Sequence, residues 1–460
     1  MTTDALDIAR FPAGFRWGVA TAAYQIEGGA SEGGRGTSIW DTFANVDRLT
    51  LNGDNGDVAC DHYHRWAEDL DLMASLGIRH YRLSLSWVRL QPTGRGELNP
   101  EGVAFYAALL EGMRERGITP MVTLYHWDLP QPLEDAGGWP ARETAYLFAD
   151  YADRTVRALG HLASDWITIN EPWCVAFLGY GRGAHAPGKK DPRLAVAAAH
   201  HVNLAHGLAV SAIRAIDPGL RVGNLNIVTD IVPASTSDAD AAAAIRLDAM
   251  SNRVFLDPVY LGDYSPAVRD LLDPLGLDAL VEDGDLAIIG QRVDFVGMNH
   301  YQRVVAWDDD DGTYLRVGER PASPASTSLG WSVIPESLGA VLHRVSSEFT
   351  SLPIYITENG ASYNDYVDPD GQVNDHDRVA YFGGYLGAAG RAIEEGVDLR
   401  GYYAWSFLDN FEWAEGYSKR FGLVFVDYRD QTRIPKRSAH WYAQQIARHR
   451  SAVESVVVPA

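Results

Sequence analysis

A parallel α/β barrel of eight strand–helix units, (β/α)₈, is the fold class this sequence predicts, and three observations predict it. Short apolar runs rich in β-branched and aromatic residues alternate with longer amphipathic stretches from end to end. Glycines stop several of those stretches, at positions 77, 117 and 160. The chain has 460 residues, a length that a barrel with extended βα loops reaches as one domain, and no Pro/Ser/Gly linker divides residues 1–460.

The first strand spans residues 15–24, and the first helix spans 61–76, where apolar Trp66, Leu70 and Met73 recur at helical spacing before Gly77. Strand 79–87 follows. Helix 100–116 leads to strand 119–126, helix 142–159 to strand 165–170, and helix 194–216 to strand 221–228. An Ala-rich helix over 241–255 precedes strand 293–299. Strands 353–357 and 400–407, separated by a helix over 376–395, close the ring, and a last helix lies near 438–448. The acidic run 308–311 before Gly312 reads as a solvated turn between strands 303–307 and 313–317, a ribbon inserted beside the barrel.

Barrels of this kind place their chemistry at the C-terminal ends of the strands, and polar residues gather there. Gln25 follows strand one, Arg82 lies in strand two and His126 ends strand three. Asn170 and Glu171 end strand four, Asn299 and Tyr301 end strand six, Glu358 leaves strand seven, and Trp405 lies in strand eight. Two stretches share one design. Residues 165–172 read Asp-Trp-Ile-Thr-Ile-Asn-Glu-Pro, and residues 352–360 read Leu-Pro-Ile-Tyr-Ile-Thr-Glu-Asn-Gly. Each is an apolar strand that delivers a glutamate at its exit. A carboxylate there needs partners, either a structural ion pair or a working site. Two such carboxylates can divide acid/base and nucleophile duties, the division that glycoside hydrolysis requires. Alternation in Tyr-Arg-Leu-Ser-Leu-Ser-Trp puts Arg82, Ser84 and Ser86 on one strand face, and a guanidinium pointing into a barrel needs an anion.

Thr-Ile-Asn-Glu-Pro and Ile-Thr-Glu-Asn-Gly resemble the acid/base and nucleophile motifs of family 1 glycoside hydrolases, the β-glucosidases. The resemblance runs from about Phe11 to Tyr442. It implies a retaining β-glucosidase that removes terminal β-D-glucosyl residues from aryl and alkyl β-glucosides and cello-oligosaccharides through a covalent glycosyl-enzyme. Glu171 would be the general acid and then base, and Glu358 the nucleophile, with Arg82 as its charge partner and Tyr301 as a hydrogen-bond donor. Arg82 would favour the ionised form of Glu358, and that charge would raise the pKa of Glu171, which would split the pair. Asn170, Asn299, Gln25 in Tyr-Gln-Ile-Glu-Gly, His126 in His-Trp-Asp-Leu-Pro, and Glu412 and Trp413 in Asp-Asn-Phe-Glu-Trp would hold the glycone. Trp405 would offer a stacking face, and Trp331 would stack on the leaving group. One departure is His300, where the family usually has an aromatic. Myrosinase-like relatives carry Gln where Glu171 stands, so Glu171 argues for ordinary O-glycosides.

Composition excludes other classes. Lys and Arg number 39 against 61 Asp and Glu, so a net charge of −22 repels nucleic acid and anionic membranes. No span of membrane length is continuously apolar, and the first residues carry no secretory pattern. Cys60 and Cys174, two thiols in so long a chain, fit a reducing, cytoplasmic setting better than a disulfide framework. The 13 Trp and 22 Tyr fill cores, yet several fall at strand ends, where they suit sugar rings. No cofactor or metal is expected. Gly29–Gly33 matches a serine-nucleophile string without the following helix. The string 183–189 lacks the Ser/Thr of a phosphate loop, His62 and His64 lack companion ligands, and the acidic run fails calcium-loop spacing. The partner that the resemblance implies is a small β-glycoside, with oligomeric state left open. The rivals are a 6-phospho-β-glycosidase or transglycosylase on the same site, and a catalytically silent sugar-binding barrel.

Overall fold

In the computed structural model, which describes residues 6–311 and 314–457, eight parallel strands close into a barrel in sequence order. They are β1 (Arg16–Ala20), β2 (His80–Ser84), β3 (Thr119–Tyr125), β4 (Asp165–Ile169), β5 (Arg221–Ile227), β6 (Phe295–Asn299), β7 (Ile354–Asn359) and β8 (Leu399–Trp405). The ring closes where β1 pairs with β8, Gly18 opposite Tyr403. The long helices α1 (His62–Ser75), α2 (Pro100–Glu115), α3 (Glu143–Leu159), α4 (Pro192–Ile216), α5 (Asp238–Asp248), α6 (Glu336–Arg344), α7 (His376–Glu394) and α8 (Arg437–Val457) accompany the strands. Each forms for local reasons. In α1, Leu70 and Met73 face the barrel and are fully buried, and Gly77, at φ 74°, ends the run in the left-handed conformation. In α2, Asn99 caps the N-terminus and Pro100 opens it.

Four expectations change. The first strand stops at Ala20, and Gln25 lies in a short helix, Ala23–Ile26, whose first N–H is held by Ser84 Oγ at 2.8 Å. β7 runs two residues further than its apolar core, so Glu358 and Asn359 belong to the strand; the ladder to β6 slips between Ile356 and Glu358. Such a bulge re-aims side chains at a barrel rim. The Ala-rich helix begins at Asp238, capped by Ser237, and gives way at Ala249 to a wider turn. The inserted ribbon exists, but its second strand is Val317–Pro321. It pairs antiparallel with Arg303–Asp308, which pairs on its other side with Asp230–Pro233. Gly312 of the expected turn and Thr313, the start of the expected strand, lie outside the described residues. Arg246 explains the shift. It donates to Asp308 Oδ1 (2.6 Å) and to the carbonyls of Leu315 and Arg316 (2.8 Å each), so 314–316 form a turn rather than a ladder.

The sequence also left unassigned α6 and the short helices Pro266–Leu272, Leu277–Leu280 and Asp285–Ile289. No helix among the described residues is long and apolar enough to cross a membrane.

Candidate active site

β4 ends at Ile169, and the chain turns so sharply that Glu171 takes φ 43°, a left-handed backbone rare for a residue with a side chain. The turn carries the Glu171 carboxyl over the barrel mouth, where it is 4% exposed. Opposite, Glu358 at the end of β7 is 3% exposed. The residue after Asn359 must be glycine, since a Cβ on Gly360 would lie 1.8 Å from the Trp405 carbonyl oxygen. β7 therefore passes close against β8.

Arg82 rises from β2 into the barrel, fully buried, and binds Glu358 Oε1 through Nη1. Its Nη2 donates to Asn170 Oδ1 (2.7 Å) and its Nε to Thr123 Oγ1 (3.1 Å). Tyr301 Oη donates to Glu358 Oε2 at 2.7 Å, and burial beside that carboxylate holds the phenol well above its usual pKa, so it stays a donor. Both oxygens of Glu358 are thus held by donors.

Because a guanidinium only donates, Asn170 Oδ1 must be the acceptor, which settles the amide orientations along a chain of four residues. Asn170 Nδ2 then donates to His126 Nε2 at 3.0 Å. Burial, with Arg82 nearby, pushes the His126 pKa well below 6.5, so the ring is neutral and carries its proton on Nδ1, which has no partner among the described residues. The group 3.3 Å from Asn170 Oδ1 must likewise be Asn299 Nδ2, which also donates to Glu171 Oε1 at 2.6 Å. Asn299 Oδ1 accepts from Thr357 Oγ1 at 2.7 Å.

Burial first, then the charge of Glu358, pushes Glu171 up to about 8, so at neutral pH it holds a proton. Glu412, in the loop after β8, is pushed up to about 8 by burial and then by Glu358 and Glu171. Gln25 Nε2 donates to Asn410 Oδ1 (3.0 Å) and Phe411 O (2.9 Å), and lies 3.4 Å from Glu412 Oε2, while its Oε1 has no partner among the described residues. A free N–H on His126, a free amide oxygen on Gln25 and the Glu412 carboxyl form a mixed donor–acceptor set, the kind that neighbouring hydroxyl groups satisfy.

These groups line one cavity of about 580 Å³. Trp405 and Trp413 each stack on His126, at 5.9 and 5.8 Å and each near 20°. Trp331, also on the cavity wall, packs on Tyr301 at 5.0 Å. Of the twelve residues singled out in the sequence, the cavity wall holds His126, Glu171, Tyr301, Trp331, Glu358, Trp405, Glu412 and Trp413; Arg82, Asn170, Asn299 and Gln25 stand directly behind it. Sequence reasoning missed Cys174, Trp173 and Arg182 on the wall after β4, and Glu319 and Arg320, which the ribbon contributes. Of the rejected motifs, the string 183–189 brings Ala184 and His185 to the same cavity wall, whereas the histidine pair stays apart. His62 Nδ1 binds Asp69 at 2.7 Å, which also accepts from Arg433. Among the described residues no group of three His, Cys, Asp or Glu side chains is placed to hold a metal.

The family model for glycosyl hydrolase family 1 matches residues 8–451. Beta-glucosidase A of Thermotoga maritima is 43% identical, with 96% of this chain and 98% of that protein covered. A bifunctional beta-D-glucosidase/beta-D-fucosidase of Bifidobacterium breve is 45% identical, at 95% and 98% coverage. Among solved structures, a Thermotoga maritima beta-glucosidase in complex with deoxynojirimycin superposes with a TM-score of 0.93 at 42% identity, covering 95% of this chain and 99% of that one. A psychrophilic beta-glucosidase from Micrococcus antarcticus gives 0.93 at 44% identity, covering 96% and 98%.

Proposed function

This chain belongs to glycosyl hydrolase family 1 and is a glycoside hydrolase; we propose that it removes terminal β-D-glucosyl residues from aryl or alkyl β-glucosides and cello-oligosaccharides with retention of configuration. The observation that carries the mechanism is the unequal treatment of two carboxyls in one cavity. Glu358 is gripped by Arg82 and Tyr301, whereas Glu171 is buried, faces that charge and is pushed up to about 8. One carboxyl has both oxygens held by donors and the other keeps a proton to give.

In the first step a Glu358 oxygen attacks the anomeric carbon while Glu171 gives its proton to the departing glycosidic oxygen. In the second, Glu171 takes a proton from water, whose oxygen attacks the same carbon and releases Glu358. His126, Gln25 and Glu412 receive the glycone hydroxyls, with Trp405 beneath the ring and Trp331 on the aglycone side. Both cysteines are free and buried, which supports the further proposal of a reducing compartment.

The two displacements require carboxyl groups about 5–5.5 Å apart and predict that the first sugar released is the β-anomer. Proton NMR during the first minutes of hydrolysis checks this, and an initial α-anomer would refute it.

Discrimination against a 6-phosphate comes from Glu412. At ~4 Å and an effective dielectric of ~20, like charges repel by roughly 4 kcal/mol, about a thousandfold. That figure needs Glu412 ionised, and its pKa near 8 means that at neutral pH it can carry a proton. The ratio of kcat/KM for an aryl β-glucoside to that for its 6-phosphate is therefore expected to exceed one at pH 6 and to widen as pH rises towards 9. A flat or falling ratio would remove Glu412 from this role.

A further inference from the structure

The acid/base carboxyl has a fixed neighbour on one oxygen and a rotatable one on the other. Oε1 of Glu171 always meets an N–H, because Arg82 sets the orientation of Asn170 and Asn170 sets that of Asn299. A proton on Oε1 would face that N–H head-on. It must therefore sit on Oε2, whose one hydrogen-bond partner among the described residues is Cys174 Sγ at 3.0 Å.

The chain brings Cys174 there locally. After the left-handed turn at Glu171 the backbone enters a helical turn in which Cys174 N–H donates to the Glu171 carbonyl at 3.0 Å, so the two side chains sit on the same side. Cys174 is 5% exposed and belongs to the cavity wall. A thiol has one rotatable proton and a sulfur that accepts weakly, so it can serve either form of the carboxyl.

We propose that Cys174 is the positioning residue that follows the proton of Glu171, accepting from the acid and donating to the carboxylate. When the proton leaves Oε2 for the glycosidic oxygen, the thiol turns its hydrogen towards the new anion. When water returns a proton to Oε2, the thiol turns back. The S–H bond never breaks; only its torsion changes. Burial and the neighbouring Glu171 hold the thiol well above its usual pKa, so it keeps that hydrogen throughout the working range. The charged and titratable groups facing the pair are Glu358 on β7, Arg82 on β2, Tyr301 after β6, Glu412 after β8 and Arg182 at the end of the 174–182 turn. None of these changes when Cys174 is replaced.

The inference rests on the acid/base reading of Glu171, and the experiment separates the two. The measurement is kcat/KM for phenyl β-glucoside from pH 5 to 10 on wild type, Cys174→Val, Cys174→Ser and Glu171→Gln, with thermal midpoints alongside. The alkaline limb of wild type is expected near 8. Cys174→Val, which deprives the carboxylate of its donor, moves the limb upward by about half to one pH unit; Cys174→Ser, a stronger donor, leaves it at or below the wild-type position. Glu171→Gln abolishes the limb. A limb that persists in Glu171→Gln overturns the acid/base reading itself. A limb abolished there but unmoved in both cysteine variants overturns only the role of Cys174, and so does a lower midpoint in Cys174→Val with an unmoved limb.

Discussion

Glu358→Gly is expected to lose on the order of 10⁶ in kcat, the scale of loss when a covalent nucleophile is removed, and to recover turnover when azide is added with a β-glucosyl fluoride. The reason lies in what the truncation leaves behind. Arg82 is fully buried and Tyr301 points its hydroxyl at the same spot, so removing the carboxylate leaves a cation and a donor facing a hole. A small anion fits that electrostatic vacancy, next to the anomeric carbon and on the face the carboxylate used. Attack from there inverts the configuration once and gives the α-glucosyl azide. Product NMR decides the matter: a β-azide, or near-normal hydrolysis without azide, would mean that Glu358 is not the nucleophile.

Glu171→Ala is expected to divide substrates by their leaving groups. Phenyl and alkyl glucosides need protonation and should lose about 10²–10⁴, the usual worth of a general acid. Dinitrophenyl glucoside needs little help in the first step, so its covalent intermediate still forms and then waits, since no base activates water. Azide needs no base. It should speed turnover of the activated substrate and, after two inversions, yield the β-glucosyl azide. The opposite anomers from the two variants form the discriminating pair: the same pair with the variants interchanged would show that the roles of Glu171 and Glu358 are exchanged, and identical anomers would show that the division of roles is wrong.

The strand ends were legible because each motif combines a β-rich run with one glutamate, and the barrel rule supplies the rest. The boundaries of β1 and β7 were not. Gln25 leaves the strand because Ser84 captures the N–H of Ala23, and Glu358 stays in it because of a slipped ladder. Both are contacts between distant residues. The ribbon register failed for the same reason, since Arg246 reaches in from α5. The short helices after α5 are below the length at which apolar periodicity declares itself. The site's sugar-binding set was readable residue by residue, but the orientation of its amides was not, because it descends from Arg82 through two side chains on other strands. Cys174 was within reach of sequence reasoning, three residues beyond Glu171 at helical spacing, but thiols were weighed only as markers of compartment.

The three-stranded ribbon sheet outside the barrel sets chemistry and clientele on different frames. Glu171 and Glu358 hang from ladders of the closed ring, whereas Glu319 and Arg320, on the wall of the same cavity, hang from the pairing of Val305 and Ala306 with the strand Val317–Pro321. That outer strand is held by one neighbour and its last three residues are exposed, so its side chains can be exchanged without repacking the ring. A lineage, or a library restricted to 317–321, can therefore retune which aglycones enter while inheriting the reaction unchanged.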